Sequence, residues 1–172
     1  CCWSSYNNEV VKDLLNHGNT VFTGQLPPVK VASENPLKLD IDFKALDNFI
    51  KPMKGHNVFL LMGGIPKLGV PMEEAAYIPR LRLYLDKVLS HLAAHGISKD
   101  YVALYPHDEP GGHGWDTVNH YIAFARQGVK AHSGLNFYVN GGGDLEMFKT
   151  LNEVTPIWCP SYQRKTSANC AN

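Results

Sequence analysis

The chain has 172 residues, 44% of them hydrophobic, and its 16 basic and 16 acidic side chains cancel. That length supports one domain with a real core, and the balanced charge gives no electrostatic reason to seek nucleic acid or an anionic lipid surface. No apolar run approaches the ~20 residues that cross a bilayer, and the opening CCWSSYNNEV has neither the basic region nor the apolar stretch of a signal peptide.

The chain opens without Met, and a helical pattern begins almost at once. Residues 1–172 are therefore read as a single partial domain, a piece of a longer protein. Val10, Val11, Leu14 and Leu15 share the first helical face, which HGN at 17–19 ends. A first short run of strand-forming residues follows at Thr20–Leu26. Phe43, Leu46, Phe49, Ile50 and Met53 share the next helical face, capped by Asp40 or Asp42. A second run covers Asn57–Gly63. Ile78, Leu81, Leu85, Val88, Leu89 and Leu92 then keep helical spacing, with Pro79 early enough to mark a first turn or a kink.

The third run, Tyr101–Tyr105, leads into HDEPGGHG, and Trp115 is read as a packing residue at the start of the helix beyond. Val118, Tyr121, Ile122, Ala125 and Val129 form that helix's apolar stripe. Asn136–Asn140 is the fourth run. GGGD at 141–144 reads as a loop whose Asp144 caps the last helix, with Leu145, Phe148 and Leu151 turned inward. Pro156–Cys159 is the fifth run. No C-x-x-C occurs among the four cysteines; free thiols are expected, with a Cys159–Cys170 disulfide as the alternative.

Strict alternation of helices and short buried runs predicts parallel strands with right-handed crossovers. Two architectures fit: a doubly wound sheet and a (β/α)8 TIM-type barrel. No G-x-G-x-x-G follows a strand, as a dinucleotide-binding sheet would need. Polar and glycine-rich segments follow every strand, at the face where a barrel keeps its active site. About five strands cannot close a barrel of ~250 residues, so the expected fold is a partial barrel holding the second to sixth strands.

Asp108 and Glu109 end the third run. Neighbouring strand residues point to opposite sides, and Pro110 pushes Glu109 towards an extended conformation. Two carboxylates splayed in this way can reach two atoms of one substrate, and mutual repulsion with partial burial suits one of them to general acid catalysis. His107, Asp108, Glu109 and His113 lack the i, i+4 histidine spacing of a helical zinc motif, so neither metal nor cofactor is expected there. His91, His95, His120 and His132 are read as surface residues. Trp158 and Tyr162 offer aromatic faces for a sugar, with a core position the equal alternative for Trp158. Asn140 and Gln25 end strands and can hydrogen-bond hydroxyls, Tyr105 can point inward near the pair, and His107 can tune its charge.

YPHDEP at 105–110, with its preceding apolar run and the alternation around it, resembles the catalytic domain of glycoside hydrolase family 123 and the related DUF4091-type domains. The resemblance implies a TIM barrel with its Asp-Glu pair at the end of the fourth strand, which numbers the five runs second to sixth. It also implies removal of N-acetylgalactosamine-like N-acetylhexosamine from glycans by a substrate-assisted retaining mechanism. Glu109 would be the acid/base and Asp108 would orient the 2-acetamido group. A secreted or periplasmic location and a carbohydrate substrate follow from the same resemblance. The alternatives are a two-carboxylate glycosidase whose nucleophile lies outside this chain, and a carbohydrate-binding half-barrel without turnover.

Overall fold

A computed structural model describes residues 8–35 and 37–160. In chain order the elements are α1 (Asn8–Asn16), β1 (Val21–Gln25), β2 (Val29–Glu34), β3 (Leu37–Ile41), α2 (Lys44–Ile50), β4 (Phe59–Gly63), α3 (Tyr77–Ala94), β5 (Val102–Tyr105), α4 (Trp115–Ala131), β6 (Asn136–Gly141), α5 (Leu145–Asn152) and β7 (Ile157–Pro160). Short 3-10 turns at Lys51–Met53, Lys99–Tyr101 and Pro110–His113 complete the list.

The five expected runs pair into one parallel sheet, ordered β1-β4-β5-β6-β7. The order follows the chain without the reversal that defines a doubly wound sheet. Right-handed crossovers between strands in that order carry successive helices to the same face. The core agrees. Phe22, Leu60, Met62, Val102, Leu104, Phe137 and Val139 alternate onto one face of the sheet and join the helices in a single buried cluster. The opposite face carries a smaller cluster of Leu61, Ala103 and Tyr105, edged by Phe59, Tyr138 and Ile157.

Helix α3 shows how the sequence builds the outer layer. Tyr77, Leu81, Tyr84, Leu85, Val88, Leu89 and Leu92 recur at helical spacing and are buried. Pro79 sits in the first turn, where a missing backbone N–H costs nothing. Asp144 caps α5 as expected, accepting from the Met147 amide at 2.8 Å, and Asp42 accepts from the Lys44 amide at 3.0 Å where α2 begins.

One element lies outside the simple alternation. β2 and β3 form an antiparallel hairpin apart from the main sheet. Buried Leu39 and its half-buried neighbours Val29, Val31, Leu37 and Ile41 pack into the main core. Helix α3 grips the hairpin: Arg80, 8% exposed, pairs with Glu34 at 2.6 Å and donates to the Leu68 carbonyl at 2.8 Å. Tyr84 donates to the Pro27 carbonyl at 2.8 Å.

Three residues assigned to inward stripes are turned out: Val10, Val129 and Leu145 are 43%, 49% and 67% exposed. Val10 and Leu145 sit at the margins of their apolar arcs, where Val11 and Met147 take the buried places instead, and Val129 lies in the last turn of α4. Tyr101, expected to open a strand, lies in a 3-10 turn and is 52% exposed. Trp115 does start α4, but at 40% exposure it packs less than expected.

Candidate active site

Strand β5 is buried along its whole length and ends at Tyr105. Alternation places Tyr105 with Ala103 on the sheet face away from the helices. On the neighbouring strand Tyr138 and Asn140 have the same parity, and the Tyr105 and Tyr138 rings meet edge to face at 5.0 Å. Burial raises the Tyr105 phenol far above its ordinary value, and the hydrogen bond to Asp108 adds to this. Tyr138 is raised in the same direction by burial, then by Cys159 and the charge of Asp108. Both phenols therefore remain protonated O–H donors throughout the neutral range.

The Tyr105 hydroxyl donates to Asp108 Oδ1. Asn140 Nδ2 donates to the same oxygen at 2.8 Å, and Asn140 Oδ1 accepts from the Glu109 amide at 2.9 Å. One asparagine thus holds the side chain of the first acid and the backbone of the second. The Asp108 carboxylate is fixed in direction by two donors from adjacent strands, beside the C-terminal edge of the sheet.

Glu109 departs from the expectation set by Pro110. It is in the left-handed region, φ 44° and ψ 54°, where no other described non-glycine residue is found. Such a conformation costs about 1–3 kcal/mol and persists only where surroundings impose it. Here the Asn140 bond and the turn that follows impose it; the Gly112 amide donates to the Glu109 carbonyl at 2.9 Å. Glu109 is also exposed rather than partly buried, whereas Asp108 is half-buried.

The glycines of the two loops have a steric reason. A Cβ on Gly111 would fall 1.9 Å from the Gly142 carbonyl oxygen. A Cβ on Gly141 would lie 2.8 Å from Glu109 Cγ and 3.0 Å from its Cα. The loops after β5 and β6 touch backbone to backbone, and a side chain at either position would force them apart.

The structure therefore brings together Tyr105, Asp108, Glu109 and Asn140. His107 turns elsewhere: its Nε2 meets His120 Nδ1 at 2.8 Å, and burial, then His120 and His113, hold its pKa below the ordinary value. His120 so gains a partner that its reading as a surface residue did not anticipate. Gln25 ends β1, level with Gly63 on the next strand, and is exposed, with its Oε1 near Gly64. Trp158 has the opposite parity to the cluster. It packs among the helices, its ring 5.3 Å from Phe148 and its Nε1 donating to the Thr155 carbonyl at 3.1 Å. Of its two readings, the packing one matches this position. Tyr162 and Cys170 lie outside the described residues; Cys159 carries a free, exposed thiol.

Tyr138 and Cys159 are members of this rim that sequence reasoning missed. Their signal was available in parity: Tyr138 is two residues before Asn140, and Cys159 is in register with Asn140. No protein-family model and no curated protein matches the chain.

Proposed function

We propose that this chain is an arc of a (β/α)8 barrel of glycoside hydrolase type, holding its second to sixth strands and acting on terminal N-acetylhexosamine of glycans. The observation that carries the reading is the doubly held Asp108 carboxylate. It sits beside Glu109 at the C-terminal edge of sequentially ordered parallel strands, on the side of the sheet away from the helices. An acceptor fixed in this way suits a substrate N–H group. Asp108 aligns the 2-acetamido group, whose carbonyl oxygen attacks C1 as the bond to the leaving oxygen breaks. The Glu109 carboxyl delivers its proton to that oxygen. Water then opens the oxazolinium ring and returns a proton to Glu109, with net retention.

The test is hydrolysis of aryl N-acetyl-β-galactosaminide and N-acetyl-β-glucosaminide by the intact protein, beside Glu109→Gln. General acid assistance is worth 10²–10⁴-fold, so kcat should fall by about that factor. Strong thiazoline inhibition without a covalent fluorosugar adduct is the expected pattern. A trapped adduct would replace this mechanism with the two-carboxylate one. The exposure of Glu109 favours a second reading, a sugar-binding rim without turnover. Sugar binding by a wild-type protein that hydrolyses neither substrate would establish it. That reading loses its aromatic platform at Trp158, which faces Phe148.

A further inference from the structure

At the other end of the strands lies a cluster that the carboxylate chemistry does not use. His91 and His95 are one turn apart near the end of α3, spaced i, i+4 on one helical face. Asp47 of α2 faces both. Its Oδ1 lies 2.6 Å from His91 Nε2 and 3.9 Å from His95 Nε2, and the three donor atoms are within 4.8 Å of one another. Both histidines were expected to be surface residues. The His91 side chain is instead only 22% exposed, because its ring stacks on Phe43 at 3.9 Å and 8°.

From these residues we propose that Asp47, His91 and His95 form a binding site for a divalent transition metal of the zinc class, clamping α2 to α3. Tautomer chemistry supports it. His95 Nδ1 lies 2.9 Å from the His91 carbonyl oxygen. A carbonyl can only accept, so Nδ1 carries the proton, and the neutral ring keeps its Nε2 lone pair on the side of Asp47. This arrangement orients metal-binding histidines generally. The geometry is close to what a metal needs. Metal–ligand lengths of ~2.0–2.1 Å in a tetrahedral site separate donors by roughly 3.3 Å. The short contact must open and the longer ones close by about an ångström, within reach of side-chain rotation on the half-exposed Asp47 and His95. The metal replaces the hydrogen bond between His91 Nε2 and Asp47 Oδ1, and the bonding proton leaves to solvent.

Two imidazoles and one carboxylate favour zinc, cobalt, nickel or copper over calcium or magnesium, which prefer all-oxygen shells. The remaining positions open towards a cavity of about 780 Å³, lined by Asp47, His95, His56 and Asn57 among others. The cavity lies between the segments that lead into β4 and β5, far from Asp108 along the strands.

Cobalt(II) titration of the intact protein, followed by visible absorption, tests the site. Ligand-field bands should appear and saturate at one equivalent, and zinc should displace them. His95→Ala and Asp47→Asn should each weaken binding by ~100-fold or more, since even outer-shell changes cost 10–100-fold. Zinc at ~100 times its dissociation constant should raise the melting temperature by roughly 5–10 °C, and magnesium should not. Absence of bands, a spectrum dominated by thiolate charge transfer, or equal uptake by wild type and both variants would overturn the proposal.

Discussion

The two faces of the parallel sheet are built on different terms. On the helix side, Leu60, Met62, Leu104, Phe137 and Val139 are closed over by five helices and form a continuous core. On the other side the apolar cluster is small, and polar or half-exposed residues surround it: Thr23, Asn136, Tyr138 and Asn140. The first face is where burial holds the fold together, at ~25 cal/mol for each Å² of apolar surface removed from water. The second is where side chains are held by hydrogen bonds and aimed. A single strand serves both purposes because its residues alternate.

The same substitution on the two faces gives the largest test. Phe137→Ala removes a fully buried ring, packed edge to face on Phe124, and should cost about 3–5 kcal/mol in urea unfolding. Phe59→Ala removes a half-buried ring from the other face and should cost about half as much or less. Equal costs would break the contrast and mean that the open face is covered in the intact protein, as a closed barrel would cover it. A smaller effect comes at the rim. Glu109→Gly relieves a left-handed conformation worth 1–3 kcal/mol but loosens the unfolded chain by 0.5–1. Stability should rise by about 1 kcal/mol, read as a higher denaturant midpoint at unchanged slope. The carboxyl is lost, so any glycosidase activity should fall by about 10²–10⁴-fold as stability improves. A destabilised variant would contradict the strain assigned to this position.

The smallest effect is that of His107. Its folded-state pKa is depressed by burial, then by His120 and His113, so the unfolded chain binds the proton more readily. Its contribution is complete above the unfolded value of about 6.5 and is lost as pH falls through the lower folded value. Melting temperature should decline between pH 7 and 5.5 slightly less steeply in His107→Gln than in wild type. Identical profiles would remove His107 from the acid sensitivity of this edge.

Much of the architecture is legible in the sequence. Five short apolar runs became five parallel strands: β5 and most of β4 are buried on both faces and carry continuous apolar sequence, whereas β1 and β6 alternate buried residues with half-buried or exposed ones. The hairpin was not read. Val29, Val31, Leu37, Leu39 and Ile41 carry a two-residue period, but the turn divides it into pieces too short to stand out. At the site, both Asp108 and Asn140 are legible as candidates, and the sheet brings Asp108, three residues past β5, within 2.8 Å of Asn140 on β6. Glu109 departs from the rule for residues before proline because that rule is local, while its backbone is held by Asn140 on the next strand and by the turn that Gly112 closes. Trp158 was ambiguous for a related reason. Its parity follows from register with Val139, which no single strand reveals.

The interlock of Gly111 with Gly142, and of Gly141 with Glu109, has an evolutionary consequence. Segments some thirty positions apart in the chain form one mechanical part, so neither can be lengthened, exchanged or re-aimed alone. Diversification of this rim has to proceed by paired replacements across both strands, and a library that varies one segment at a time will sample mostly broken proteins.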